Sequence, residues 1–163
     1  MDSVIVFVAM YVLYVSVIVT AWFWWRCSRT TQIELFVRLI IGGLLALLLA
    51  TIGGHLYYDP RPFVTEHITP LFAHAPDNGF PSDHALLTSF LGFSVLPYSK
   101  KVGAVLLAIA VAVGAARVAA HVHSPIDIVG SFVFSAAAAL TVQRVMMTTR
   151  VRTWWERRIA RWR

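Results

Sequence analysis

Residues 101–127 read KVGAVLLAIAVAVGAARVAAHVHSPID, an apolar run without a charge from Val102 to Ala116 that ends in an arginine, two histidines and an aspartate. The run has the length and composition of a membrane span, since about 20 apolar residues cross a hydrocarbon core. Its ending is the anomaly. An arginine in the last turns of such a helix is costly unless it faces a polar cavity, so this stretch predicts both a membrane helix and a polar site at its end.

The rest of the chain agrees with a membrane reading. The protein has 163 residues, 58% of them hydrophobic and 13% charged, with a mean hydropathy of +0.70, too apolar for an ordinary soluble domain. Further runs place five helical spans at 3–25, 33–57, 84–98, 102–122 and 126–147, with six helices possible in all, so the expected fold class is an all-α polytopic transmembrane bundle. The third run is short and bounded by Pro81 and Pro97. Short joints and the lack of a linker predict a single domain over residues 1–163, ending in a basic interfacial tail at about 148–163. The first run is read as retained rather than cleaved: Asp2 stands where a signal peptide carries positive charge. Cys27 is the sole cysteine, which excludes an intrachain disulfide and a cysteine metal cluster.

Net charge is +6 and pI about 10.1, a balance that in a soluble chain would suggest nucleic acid. Its distribution argues otherwise, and no nucleic-acid partner is expected. Arg26, Arg29 and Arg38 lie around the first joint, Lys100 and Lys101 form the third, and Arg144, Arg150, Arg152, Arg157, Arg158, Arg161 and Arg163 crowd the C-terminus. Alternating spans put all of these on one face, which the positive-inside rule makes cytoplasmic. The tail RVRTWWERRIARWR reads as an anchor to anionic headgroups. Arg61, Arg117 and all six histidines fall toward the opposite, outer face.

Three segments there carry chemistry: YYDPRPF (57–63), FPSDH (80–84) and ARVAAHVHSPID (116–127). Guanidinium groups grip phosphate oxygens in pairs, so Arg61 and Arg117 point to a phosphoryl ligand. Ser82 and Ser124 are candidate N-caps, Pro125 suits a first helical position, and free N–H groups at such helix starts favour an anion. Asp127, four residues after His123, can fix one tautomer of that imidazole and leave the other nitrogen as a nucleophile toward phosphorus; His84 is the candidate general acid. Each feature has a plainer reading: Asp127 as half of a capping box, the prolines as loop punctuation. Their convergence on one face favours the chemistry. His121 with His123 forms a His-x-His pair that Glu66, His67, His74 and Asp77 could extend into a metal set, but no repeated His/Cys spacing supports this, and no metal is expected. His67, His74 and Asp77 are read as shaping the outer loop, Glu66 as a minor substrate contact, and the small residues Gly53, Gly54, Gly114, Ala115 and Ala116 as helix-packing positions.

Together these segments resemble, over residues 54–127, the three signature motifs of the type 2 phosphatidic acid phosphatase superfamily. Arg61 and Pro62 match Lys-x6-Arg-Pro; Pro81, Ser82 and His84 match Pro-Ser-x-His; Arg117, His123 and Asp127 match Ser-Arg-x5-His-x3-Asp. Gly54 stands where the motif has lysine and Ala116 where it has serine; His55 is a candidate partial substitute for the lysine. Within the superfamily the wording DPRPFV and APDNGFPSDHA is similar to bacterial undecaprenyl-diphosphate phosphatases of the bacitracin-resistance branch. The resemblance implies a polyprenyl diphosphate hydrolysed at the outer face of the cytoplasmic membrane, through a phosphohistidine, to the monophosphate that carries cell-wall precursors, without cofactor or metal. It implies catalytic roles for His123, Asp127 and His84 and phosphate binding by Arg61, Arg117 and Ser82. Phosphatidylglycerol phosphate, diacylglycerol diphosphate and lipid A phosphate remain alternative substrates, and a non-enzymatic lipid-phosphate carrier an alternative function.

Overall fold

The computed structural model describes residues 1–147; the basic tail at 148–163 lies outside the described residues. The helices are α1 (Asp2–Arg26), α2 (Arg29–Leu56), α3 (Pro62–Thr65), α4 (Asp83–Val95), α5 (Lys100–Ala119) and α6 (Pro125–Met147). Among the described residues there is no strand, only a single bridge between Pro60 and Asn78. The bundle is all-α.

Four helices, α1, α2, α5 and α6, are long and apolar enough to cross a membrane. The fifth crossing, from the site end of α2 to the start of α5, falls to α4 and its flanking joints rather than to a helix of spanning length. The third run forms α4, a helix of 13 residues, about 20 Å long at 1.5 Å per residue, where a span needs about 30 Å. It stops at Val95, two residues before Pro97, which cannot extend a helix. Burial explains why its sequence is as apolar as a span. Nine of its thirteen residues are buried, and it packs against α5, α6, α1 and α2. α4 is the core that the long helices surround.

Helix ends follow local rules. Ser28 caps α2 by accepting from the Thr31 amide at 3.4 Å, and Ser99 caps α5 by accepting from Val102 at 3.3 Å. Small residues set the helix spacing: a Cβ on Gly114 would come within 2.6 Å of Ile128, and one on Gly42 within 3.0 Å of Phe90. Along α1 the residues Phe7, Tyr11, Tyr14, Ile18 and Trp22 are exposed at helical spacing, a lipid-facing stripe. Hydroxyls tie α4 to α6: Ser89 and Ser135 are hydrogen-bonded at 2.7 Å, and Ser131 donates to the Ser82 carbonyl at 2.8 Å.

The two ends of the bundle differ. At one end the last turns of α1 and α4 meet the first turns of α2 and α5, where Leu35, Val95 and Leu106 pack with Trp24, Tyr98 and Val102. Arg38 belongs to this end but sits inside α2, buried, its guanidinium 5.1 Å from the Tyr98 ring centroid. At the other end, Arg117 of α5 donates to the Ala9 carbonyl of α1 at 3.3 Å, and the joints 57–82 and 120–124 come together.

Candidate active site

Asp127 organises this end. It lies in the first turn of α6, fully buried, and its Oδ2 accepts from His123 Nδ1 at 3.0 Å and from the Ser124 amide at 2.9 Å. The capping contact and the imidazole contact, rival readings of the sequence, are made by the same oxygen. Ser124 Oγ does not complete the capping box; it donates to Asp59. Proline at the first position of α6 is as expected.

With Nδ1–H committed to a carboxylate, His123 presents an Nε2 lone pair, a tautomer assigned from its partners. Both arginines point at it. Arg61 Nη1 lies 3.3 Å and Arg117 Nη2 3.2 Å from Nε2. Arg61 is buried and held from behind: its Nε donates to Asp77 Oδ1 at 2.8 Å and its Nη1 to the Val122 carbonyl at 2.7 Å. Arg117, also buried, has the Ala9 carbonyl behind it and Phe72 beneath it, 5.7 Å from the ring centroid. Ser82, the N-cap of α4, makes no side-chain capping bond; its buried Oγ has no partner among the described residues.

His84 stands at the loop end of α4, half-buried. Burial first, and then the charges of Arg117, His123 and His74, hold its ring down at about 4. His123 is likewise lowered, chiefly by burial, with the Asp127 hydrogen bond opposing and both arginines reinforcing the shift. Two neutral imidazoles beside two permanent cations form a site built for an anion.

The structure thus brings Arg61, Ser82, Arg117, His123 and Asp127 together, with His84 in electrostatic reach of the cluster. His121 is turned away: it has a left-handed φ of 62° and is exposed, whereas His123 is buried, so the His-x-His pair faces two ways. Glu66, His67 and His55 are also exposed. At Gly54 a Cβ would press within 3.0 Å of the Phe80 carbonyl, because Asn78 ties the loop to α2 by donating to the Gly54 and Tyr57 carbonyls at 2.9 and 3.1 Å. Residues read as loop-shaping prove closer to the chemistry. Asp77 holds Arg61, and His74 Nε2 lies 3.1 Å from Arg117 Nη2. Their motif, HAPDNGF, signals only a turn; which cation each meets depends on the folded loop.

Comparison with known proteins agrees with the motifs. The PAP2 superfamily profile matches residues 32–151. The chain is 33% identical over 144 residues to the bacitracin transport permease protein BcrC of Bacillus licheniformis, covering 87% of this chain and 70% of that protein. It is 30% identical over 135 residues to the undecaprenyl-diphosphatase BcrC of Bacillus subtilis (strain 168), covering 82% and 68%.

Proposed function

The chain belongs to the PAP2 superfamily, and from that premise we propose that it hydrolyses a polyprenyl diphosphate, undecaprenyl diphosphate in the first instance, to the monophosphate and inorganic phosphate. One observation carries this reading: a buried imidazole has one nitrogen fixed by a carboxylate and the other within 3.3 Å of two guanidinium groups.

In the first step Nε2 of His123 attacks the terminal phosphorus, forming an N–P bond as the P–O bond to the prenyl monophosphate breaks. The ring gains positive charge, which Asp127 balances at Nδ1. Arg61 and Arg117 neutralise the non-bridging oxygens, and the Ser82 hydroxyl donates to one of them. A phosphate monoester is a far weaker base than an alkoxide, so it departs with little protonation. In the second step His84, kept neutral by burial and neighbouring cations, takes a proton from water as that water attacks phosphorus and releases His123. While a diphosphate lies among these cations its negative charge raises His84, which lets the same ring serve as acid in the first step.

An apolar groove of about 790 Å³ between α5 and α6, lined by Gly114, Ala115, Val118, Ile128, Val129 and Phe132 among others, suits the prenyl chain. Ala119 and Pro125 at its edge flank the loop that carries His123. In this reading the site faces outward from the cytoplasmic membrane; the positive-inside rule supports it, because Arg26, Arg29, Lys100 and Lys101 lie at the opposite ends of the same helices. The tail after α6 is then cytoplasmic, and the product re-enters the cell-wall carrier pool.

The Bacillus licheniformis relative is named a bacitracin transport permease, and a transport role raises a second reading, a membrane protein that binds its ligand without hydrolysing it. Binding needs the arginines but no activated nucleophile, so the His123–Asp127 pair is surplus to it. A phosphate-release assay with purified protein in detergent decides. His123→Ala, folded and still binding, should release none from a prenyl diphosphate. Turnover retained in that variant removes His123 from its role, and a wild type that binds without releasing phosphate supports the carrier.

A further inference from the structure

His74 lies in the joint between α3 and α4, on neither of the elements that carry His123 and His84. Its Nε2 is 3.1 Å from Arg117 Nη2, the same nitrogen that lies 3.2 Å from His123 Nε2. The two hydrogens of that Nη2 therefore divide between two imidazoles. The His74 ring is 6.1 Å from that of His123 and nearly perpendicular to it, at 78°, and the Phe72 ring lies 6.3 Å from it. The joint is held in place by Asn78, whose side chain accepts from the Asp59 and Phe80 amides at 2.9 and 3.0 Å and donates to the end of α2. Gly79 packs so closely on Asp127 that a Cβ would come within 2.8 Å of Oδ2. His74 is thus presented to the site by an anchored loop.

Resting on the phosphatase reading above, we propose that His74 is a further donor to the transferred phosphoryl group, beside Arg117. A phosphoryl group on His123 Nε2 displaces both imidazoles as acceptors of the Arg117 Nη2 hydrogens and puts its own oxygens there. His74, in its Nε2–H form, then donates to the same oxygens. The weak contact of its Nδ1 to the Ala75 carbonyl, 3.4 Å, does little to oppose that form. The contact is made to the trigonal PO3 unit, so it strengthens in the transition state and acts on kcat more than on KM.

The test uses the full-length protein in detergent and orthovanadate, which mimics the trigonal phosphoryl group and needs no lipid. His74→Phe keeps the ring packing and removes the donor; His74→Gln keeps an N–H donor. Vanadate should raise the thermal midpoint of the wild type and of His74→Gln. It should bind His74→Phe about tenfold or more weakly, the order expected for a lost hydrogen bond to a charged group. With prenyl diphosphate, kcat of His74→Phe should fall similarly while KM moves less than about threefold. Equal vanadate binding by His74→Phe and wild type overturns the proposal, as does a wild type that vanadate does not stabilise. His74-dependent vanadate binding by a protein inert toward prenyl diphosphate would leave His74 standing and defeat the substrate assignment instead.

Discussion

Replacing Asp127 by asparagine isolates the charge of one carboxylate at nearly constant shape. In the wild type Oδ2 accepts two hydrogen bonds, from His123 Nδ1 at 3.0 Å and the Ser124 amide at 2.9 Å, in a fully buried position. The asparagine carbonyl can accept both, so the ring stays oriented and the first turn of α6 keeps its cap. What disappears is the negative charge that balances the imidazole as Nε2 bonds to phosphorus. A hydrogen bond to a charged partner is worth about 1.5–3 kcal/mol against about 1 for a neutral one. The loss is magnified because the charge develops only in the transition state of a dry site; the analogous change in the serine protease triad costs about 10⁴. A fall in kcat of about 10²- to 10⁴-fold is expected, with KM little changed.

The same variant carries a signed pH prediction. His123 attacks only when Nε2 is unprotonated, so kcat/KM falls as pH drops through its pKa in the free enzyme. That pKa lies below the ordinary 6.5, with burial as the main cause, the arginines lowering it further and the Asp127 hydrogen bond opposing them. Removing the carboxylate removes the raising influence, so the acid limb of kcat/KM should move to lower pH while the plateau drops. The assay is phosphate release from a prenyl diphosphate across the acid range, with thermal melts at each pH to confirm folding. An acid limb that moves upward, or a plateau within threefold of wild type, would refute the assignment of Asp127 to the nucleophile.

Other expectations follow from the same geometry. Arg117→Lys keeps the charge but cannot reach both imidazoles and the Ala9 carbonyl at once, and should lower kcat/KM by about 10²- to 10³-fold; activity within threefold would show that a point charge suffices. His84→Ala should cost far more with a prenyl monophosphate than with the diphosphate, whose leaving group needs little proton donation; equal losses would exclude it as the acid. Ala115→Trp fills the groove between α5 and α6 and should depress kcat/KM for a long prenyl chain while sparing a short one; equal effects on both would remove the groove from substrate binding. Gly130→Val drives a side chain into the Phe80 ring, which a Cβ would already meet at 2.2 Å, and should lower stability by about 1–3 kcal/mol, read as a drop in thermal midpoint.

The sequence is explicit about the site and less so about its frame, for a physical reason. The residues proposed to do the chemistry are rare types in an apolar chain, and the spacing of His123 and Asp127 is one helical turn, so their meeting follows from local geometry. Arg117 stands out because a guanidinium in a hydrophobic run needs a reason, and Arg61 because it is the other arginine toward the same face. The nature of α4 could not be read the same way. A helix largely buried among other helices and a helix bathed in lipid present the same apolar surface, and only length separates them. The run 84–98 contains Pro97, yet nothing in composition shows that the helix ends at Val95 and is wrapped by four others. The loop is the least legible of all. His74 and Asp77 look like solvated loop residues until Asn78 fastens the chain to the end of α2 and Gly79 brings it against Asp127. Those contacts join residues up to 48 positions apart, between Gly79 and Asp127, and only the fold supplies them. The polar site and the buried short helix explain each other. Because α4 does not need to reach both surfaces, its N-terminus can sit at the depth of Ser82 and Asp127, bonded amide to carbonyl at 3.4 Å, and the phosphoryl chemistry can be held within the bundle rather than on its rim.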